Sequence, residues 1–324
     1  MIPIWYHDTV AKVNAMNDET AITIPTRPRS AMLPSGATDD TVVALWLRKY
    51  KKHPNTQSAY QHDIERFQGF VQKPLKSITL QDLYDYADSL AELEESTQGR
   101  FMASIKSLFT FAYKTGYLEL NVGVAYQLEK PPDTLALRIL SEEQVIGMVL
   151  GEPDQRNQLI LRVLYSAGLR VSELCALKWE HLQPNGDSGQ ITILRDKRGN
   201  TRHIVLKPET YKQLLDYRGD AQGKQHIFLS HTGKPLDRTI VWRIVEKAAV
   251  RARIATYQET KDGKTITRSK VSPHWLRHAH ASHYIARGGD LAVLRDTLGH
   301  ADFTMPSRYT HARPGQSSSL KLAL

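Results

Sequence analysis

Apolar residues recur at three- and four-residue intervals in separate runs, and the polar breaks between them carry helix-capping residues. The first run follows Asp39 and Asp40, expected caps, and bears Val42, Val43, Leu45, Trp46 and Leu47. After the break "HPNT", Thr56 is the expected cap of a second helix whose face is Tyr60, Ile64, Phe67 and Val71. A third helix opens in "ITLQDLYDYADSL" with Thr79 as cap. The fourth spans Ser96 to Tyr113, with Phe101, Ile105, Leu108, Phe109 and Ala112 on one side and Gly116 as its stop. No strand pattern interrupts these runs, so residues 39–127 are expected to form an all-helical domain. Residues 1–38, rich in Pro, Thr, Asp and Ser and without periodicity, read as a flexible arm.

The charged, proline-bearing stretch "YQLEKPPDTLALRIL" places a linker at 128–140 and opens a second domain at 141–324. There "SEEQVIGMVL" is a capped helix start, and "NQLILRVLYSAGLRVSELCALKWEHL" is apolar at helical spacing, broken at Gly168 and restarted near Ser172. Ile191, Ile193, Ile204 and Leu206 alternate on either side of "RDKRGN", which predicts a β-hairpin with a basic tip. Helical pattern resumes near Glu209 and in "RTIVWRIVEKAAVRARI". "YQETKDGKTITRSK" reads as a second small hairpin or a loop, and the last helices carry "WLRHAHASHYIAR" and "LAVLRDTLGH". The fold class is mainly α with a small β-sheet.

Composition narrows the class. The 324 residues are 41% hydrophobic and 24% charged, a globular profile. A formal net charge of +9 favours a polyanionic partner, because cationic surfaces release counterions from phosphate backbones. The single cysteine, Cys175, excludes an internal disulfide framework and suits a reducing compartment. The opening "MIPIWYHDTV" lacks a secretory pattern, and no apolar run approaches the ~18 residues of a membrane span, so a cytoplasmic protein is expected.

Three clusters can carry chemistry. In "AGLRVSEL", Arg170 follows the Gly168 turn and Glu173 lies three residues on, which suits either an ion pair or an oriented anion-binding fork. In "SPHWLRHAHASH", His274 and Arg277 share a helix face and can grip a phosphate. His274, His278, His280 and His283 also raise a metal reading, but no Glu, Asp or Cys beside them completes a ligand set. In "LGHADFTMPSRYTH", Gly299 ends a helix, His300 follows, and Tyr309 stands nine residues beyond His300, either closing a core or carrying a reactive phenol.

In this order the clusters resemble the tyrosine recombinases, or phage integrase family, most closely the Xer-type and integron-type bacterial members. The resemblance runs from Asp39 to His311. Its pattern of Arg, Lys, His, Arg, His and Tyr falls on Arg170, Lys197, His274, Arg277, His300 and Tyr309. The chain departs from the family at "NVG" (121–123), where Asn-Pro is common, and at "DKRGN", which stands for Gly-Lys-Gly-Asn. It also has Met-Pro for paired threonines before Tyr309, and an apparent insertion at Tyr257–Lys270.

The resemblance implies a helical, SAM-like core-binding domain and a catalytic domain closing on DNA as a C-shaped clamp. It implies Tyr309 as nucleophile, Lys197 as general acid and His274 as the base-like partner. Arg170, Arg277 and His300 would hold the phosphate, and Glu173 would orient Arg170 or His274. The product would be a 3′-phosphotyrosyl enzyme resolved through a Holliday junction, with no cofactor and no metal. The partner would be double-stranded DNA bearing specific recombination sites, bound by a homotetramer that exchanges the tail of Leu320, Leu322 and Leu324, with accessory proteins left open. Arg48, Lys49, Lys51, Lys52, Arg100 and Lys106 are the expected DNA contacts of the first domain. A type IB topoisomerase, a noncatalytic DNA-binding protein and a metal-dependent hydrolase are the competing readings. The target site, and the choice between integration, excision and dimer resolution, are not written in the sequence.

Overall fold

The computed structural model describes residues 33–34, 36–128, 134–194 and 201–299. The chain divides into two compact units, Met1–Pro132 and Asp133–Leu324.

In the first unit, α1 (Asp39–Arg48) is capped by Thr38, whose hydroxyl accepts from the Thr41 amide. Asp39 and Asp40 sit instead in the first turn, where acidic groups favour the helix dipole. The Asp39 carboxylate is used elsewhere, accepting from the Leu75 amide at 2.8 Å and from the Tyr117 hydroxyl. α2 (Pro54–Val71) begins two residues before the expected cap. Proline's fixed φ and missing donor make Pro54 a natural first helical residue, so Thr56 lies inside the first turn and no side chain caps the helix. α3 (Leu80–Asp88) has the reciprocal capping box of Thr79 and Asp82. α4 (Glu95–Lys114) is the long core helix, and the single turn α5 (Val122–Ala125) follows it.

These helices enclose Trp46, Ile64, Phe67, Leu83, Tyr86, Ile105, Leu108 and Phe109, all buried. Trp46 stacks on Tyr60 and donates its indole N–H to Ser107 at 3.2 Å. One charge lies within this core. Asp63 is fully buried, and Arg100 on α4 reaches it at 2.5 Å.

In the second unit, α7 (Gln155–Ser166) is the hub, with Leu159, Ile160, Leu161, Val163 and Leu164 all buried. An apolar surface this broad requires neighbours on several sides. α6 (Glu142–Leu150), α8 (Val171–Cys175), α9 (Pro208–Arg218), α10 (Arg238–Arg251) and α11 (Pro273–Ala286) supply them, and α12 (Leu291–Leu298) packs on α11. The expected hairpin is present as β2 (Ser188–Ile193) and β3 (Arg202–Val205), with Ile191 opposite Ile204. A further strand, β1 (Leu182–Asn185), pairs with β2 to complete an antiparallel sheet of order β1-β2-β3. Tyr257–Lys270 contains a hairpin rather than a loop, β4 (Thr256–Lys261) and β5 (Lys264–Ser269). Its two-residue turn is Asp262-Gly263, both at positive φ, the pair that matches strand twist. No described helix is long and apolar enough to cross a membrane.

The break after α7 is made by Gly168 at φ +59, in the left-handed region. A Cβ there would meet the His280 ring at 2.8 Å and Leu298 at 2.9 Å. Gly147, in the middle of α6, has nothing within 4 Å of its missing Cβ. Thermal denaturation of Gly168→Ala is therefore expected to show a loss of about 2 kcal/mol or more, from strain and crowding together. Gly147→Ala should stabilise by up to about 1 kcal/mol. Equal effects at both positions would remove the steric account of the turn.

Candidate active site

The Gly168 turn delivers Leu169 to the core and places Arg170 at the N-terminus of α8. Glu173, one turn on, closes back: its Oε2 accepts from the Arg170 amide at 2.8 Å and its Oε1 from the Arg170 guanidinium at 2.9 Å. The same carboxylate receives Arg202, which the sequence reading did not single out. Arg202 Nη1 donates to Oε1 at 3.0 Å and Nη2 to Oε2 at 2.8 Å. Burial alone would raise the Glu173 pKa, but the bonds and charge of Arg202, then those of Arg170, outweigh it and hold the carboxyl below its ordinary range.

Three arginines converge on the end of α12. Arg202 Nε donates to the Thr297 carbonyl at 2.7 Å, Arg277 Nη2 to Leu298 at 2.7 Å, and Arg170 Nη2 to Gly299 at 3.2 Å. Gly299 is the left-handed C-cap of α12 at φ +62. The last carbonyls of a helix lack intrahelical donors and sit at the negative end of its dipole, so cations meet them with double advantage. Arg277, only 5% exposed, also donates Nη1 to the Gly168 carbonyl at 2.5 Å. The turn at Gly168 and the cap at Gly299 are thus joined through one guanidinium. Glu173 offsets one of these three positive charges, which leaves the cluster cationic and suited to an anion with several oxygens.

His274 opens α11 one turn from Arg277. It is exposed, yet partial desolvation, followed by the charges of Arg277 and Arg170, lowers its basicity, so the imidazole is neutral near pH 7. His280 faces the other way. Its Nδ1–H donates to the Tyr165 carbonyl at 2.8 Å, and its ring packs on Gly168. Burial, assisted by the charge of Arg277, lowers its pKa to about 4, although the Tyr165 bond opposes this. His283 lies 2.9 Å from the Tyr165 hydroxyl. The dense histidines thus separate into different environments, and among the described residues no group of three His, Cys, Asp or Glu is placed to hold a metal ion.

Of the expected site residues, the structure brings Arg170, Glu173, Arg277 and His274 together. Lys197, His300 and Tyr309 lie outside the described residues, as does the tail of Leu320, Leu322 and Leu324. In the first unit Arg48, Lys49, Lys51 and Lys52 are exposed. Arg100, with 44% of its side chain exposed, pairs with the buried Asp63, and the Lys106 ammonium, half-buried, donates to the Tyr126 carbonyl. The signal for Arg202 was present in "DKRGNTRHIVL", but alternation along a strand says nothing of a partner on another element.

The family described as "Phage integrase family" matches residues 140–316, and "Phage integrase, N-terminal SAM-like domain" matches 43–116. The tyrosine recombinase XerC of Pelobacter propionicus is 29% identical over 279 residues, covering 80% of this chain and 85% of that protein. The tyrosine recombinase XerD of Staphylococcus haemolyticus is 28% identical over 282 residues, covering 81% and 89%. A lambda integrase (75–356) dimer bound to a COC′ core site shares the fold with a TM-score of 0.68, at 18% identity over 87% of this chain and 98% of that one. The Tn1549 transposon integrase in complex with circular intermediate DNA does so with a TM-score of 0.62, at 19% identity over 86% and 96%.

The burial of neutral His280 has a consequence for stability. Unfolding restores an ordinary imidazole near 6.5, so the unfolded chain binds the extra proton first, and stability falls as pH drops from about 6.5 to 4. The wild-type advantage over His280→Gln in thermal melts should shrink across that window by up to about 3 kcal/mol. Parallel curves would show that His280 does not titrate in this way.

Proposed function

Because the chain belongs to the phage integrase family, we propose that it breaks and rejoins DNA strands at defined sites through a covalent 3′-phosphotyrosyl intermediate on Tyr309, with exchange through a Holliday junction. The observation that carries this reading is the convergence of Arg170, Arg202 and Arg277 on the carbonyls of Thr297, Leu298 and Gly299. The chain passes from that cationic cluster directly to His300 and then to Tyr309.

A phosphodiester repels nucleophiles through its anionic oxygens and has a poor alkoxide leaving group. Arg170 and Arg277 neutralise the nonbridging oxygens, with His300 as a further donor, and stabilise the charge that grows in the transition state. The Tyr309 oxygen attacks phosphorus in line while the bond to the 5′-oxygen breaks. His274, neutral by its surroundings, takes the phenolic proton, and Lys197 protonates the departing 5′-oxygen. The phosphotyrosine ester conserves the bond energy, so a 5′-hydroxyl from the same or another strand reverses the step without a nucleotide. The guanidinium groups supply the positive charge that a metal gives other phosphoryl-transfer enzymes.

The partner is double-stranded DNA, to which exposed Arg48, Lys49, Lys51 and Lys52 add backbone attraction. Strand exchange between two sites requires four active subunits, and Leu320, Leu322 and Leu324 are the proposed exchanged contact of that homotetramer. Such a protein works beside the nucleoid in the cytoplasm, with accessory proteins as an open addition.

Incubating the protein with fragmented host DNA and denaturing the mixture should yield a covalent adduct whose DNA end marks the target site. Tyr309→Phe should form none, and EDTA should not reduce the wild-type yield. Tight binding without adduct would favour a noncatalytic DNA-binding protein, and relaxation at arbitrary sequence without exchange would favour a topoisomerase. The adduct rate should hold down to about pH 6.5 and fall only below it, because His274 protonates later than a free imidazole. His274→Gln should slow the reaction and flatten that acid limb. An unchanged limb would assign the titration to another group.

A further inference from the structure

We propose that Arg202 is a positioning residue of this site: its fork joins Glu173 and the Thr297 carbonyl, so that Arg170 and the end of α12 meet the phosphate in one fixed geometry. This inference rests on the strand-breakage reading above. Three of the five guanidinium donors are directed at protein acceptors, two on Glu173 and one on Thr297, and the side chain is only 10% exposed. Of the two arginines on Glu173, Arg170 is the more open, with 33% of its side chain exposed.

The pairing on Glu173 is reciprocal. Each carboxylate oxygen accepts one bond from Arg170 and one from Arg202. Two partners on both oxygens remove the rotation that a single partner permits, so the plane in which Arg170 presents its fork is fixed. Arg202 also outranks Arg170 among the groups that keep Glu173 ionised.

The surroundings have been shaped for this side chain. A Cβ on Gly299 would lie 2.9 Å from Arg202 Nη1, so glycine there gives the guanidinium its room as well as the left-handed cap. Arg202 begins β3, five residues after Lys197, while its Nε holds the end of α12 ahead of His300. The residue therefore ties the strand that follows the proposed general acid to the helix that precedes the proposed nucleophile. Lysine cannot replace it, because a point-like ammonium does not span two carboxylate oxygens and a carbonyl at once.

The test uses the full chain and a nicked DNA carrying the mapped site, with single-turnover adduct rate, DNA affinity and melting temperature measured for wild type, Arg202→Gln and Arg202→Lys. Both variants should lose about 10- to 100-fold in rate, as for a displaced supporting contact, with DNA affinity within about threefold of wild type. Without Arg202 the Glu173 carboxyl protonates at higher pH. In the His274→Gln background, where the histidine limb is removed, Arg202→Gln should therefore lose rate on acidification at higher pH than the protein that keeps Arg202. Glu173→Gln combined with Arg202→Gln should be little slower than Glu173→Gln alone. A wild-type rate and pH profile in Arg202→Gln would overturn the positioning role while leaving strand breakage intact. A rate loss that follows melting temperature, with the pH profile unmoved in the His274→Gln background, would also overturn it by assigning Arg202 to folding alone. A wild-type protein that forms no adduct would fail the strand-breakage reading, and the positioning role with it.

Discussion

Three successive carbonyls at the end of one helix, each held by a guanidinium from a different part of the chain, organise the second unit. Arg170 comes from the start of α8, Arg202 from β3 and Arg277 from α11, and their acceptors are Gly299, Thr297 and Leu298. A helix C-terminus must find donors outside itself, and ordinarily water or a glycine-based cap provides them. Here the donors are charged, rigid and remote in sequence. The same bonds that satisfy the helix end therefore fix the positions of three cations around it.

That arrangement has a cost, which explains its dependence on Glu173. Guanidinium groups withdrawn from water lose hydration, and like charges gathered at one place repel. A carboxylate at the centre relieves both, but full neutralisation would remove the field a phosphate needs. One carboxylate against three guanidiniums is a compromise that relieves the repulsion and leaves the cluster cationic. It also demands backbone that only glycine adopts easily. Gly168 and Gly299 both have positive φ, at +59 and +62, and both are crowded where a Cβ would point. The two turns frame the cluster, so the backbone that requires glycine and the charge lie in the same place.

Much of this was legible in the sequence because it is local. A helix interrupted at Gly168 and another ended at Gly299 follow from glycine's freedom, and the hairpin around "RDKRGN" follows from alternation. What was not legible depends on distant partners. Arg202 lies at an apparently ordinary strand position, and its role exists only because Glu173 and Thr297 arrive there, 29 and 95 residues away in sequence. Arg100 hides a partner in the same way. On a helix face it looks like a wholly solvated cation; it is indeed exposed, but Asp63, 37 residues earlier, is fully buried and also takes it as a partner. Thr56 fails for a local reason, since Pro54 starts α2 two residues before it and leaves it inside the first turn. The strand β1 escapes notice because its burial pattern turns a single residue, Leu182, inward.

The basic residues of this chain consequently fall into two physical kinds, and net charge alone does not distinguish them. Arg48, Lys49, Lys51 and Lys52 are exposed and hydrated, so their attraction to a polyanion is long-ranged and weakened by salt. Arg202 and Arg277 are withdrawn from solvent and bonded to backbone carbonyls and, for Arg202, a carboxylate. Screening reaches such groups poorly, and their orientation is set before any ligand arrives. Arg170 stands between the kinds, anchored by Glu173 and Gly299 but still a third exposed. The surface charges can thus bring a DNA backbone close without specifying where its phosphorus sits. The anchored ones do little at a distance, and in the function proposed above it is they that determine that position, because a guanidinium already held on two sides has few directions left in which to donate.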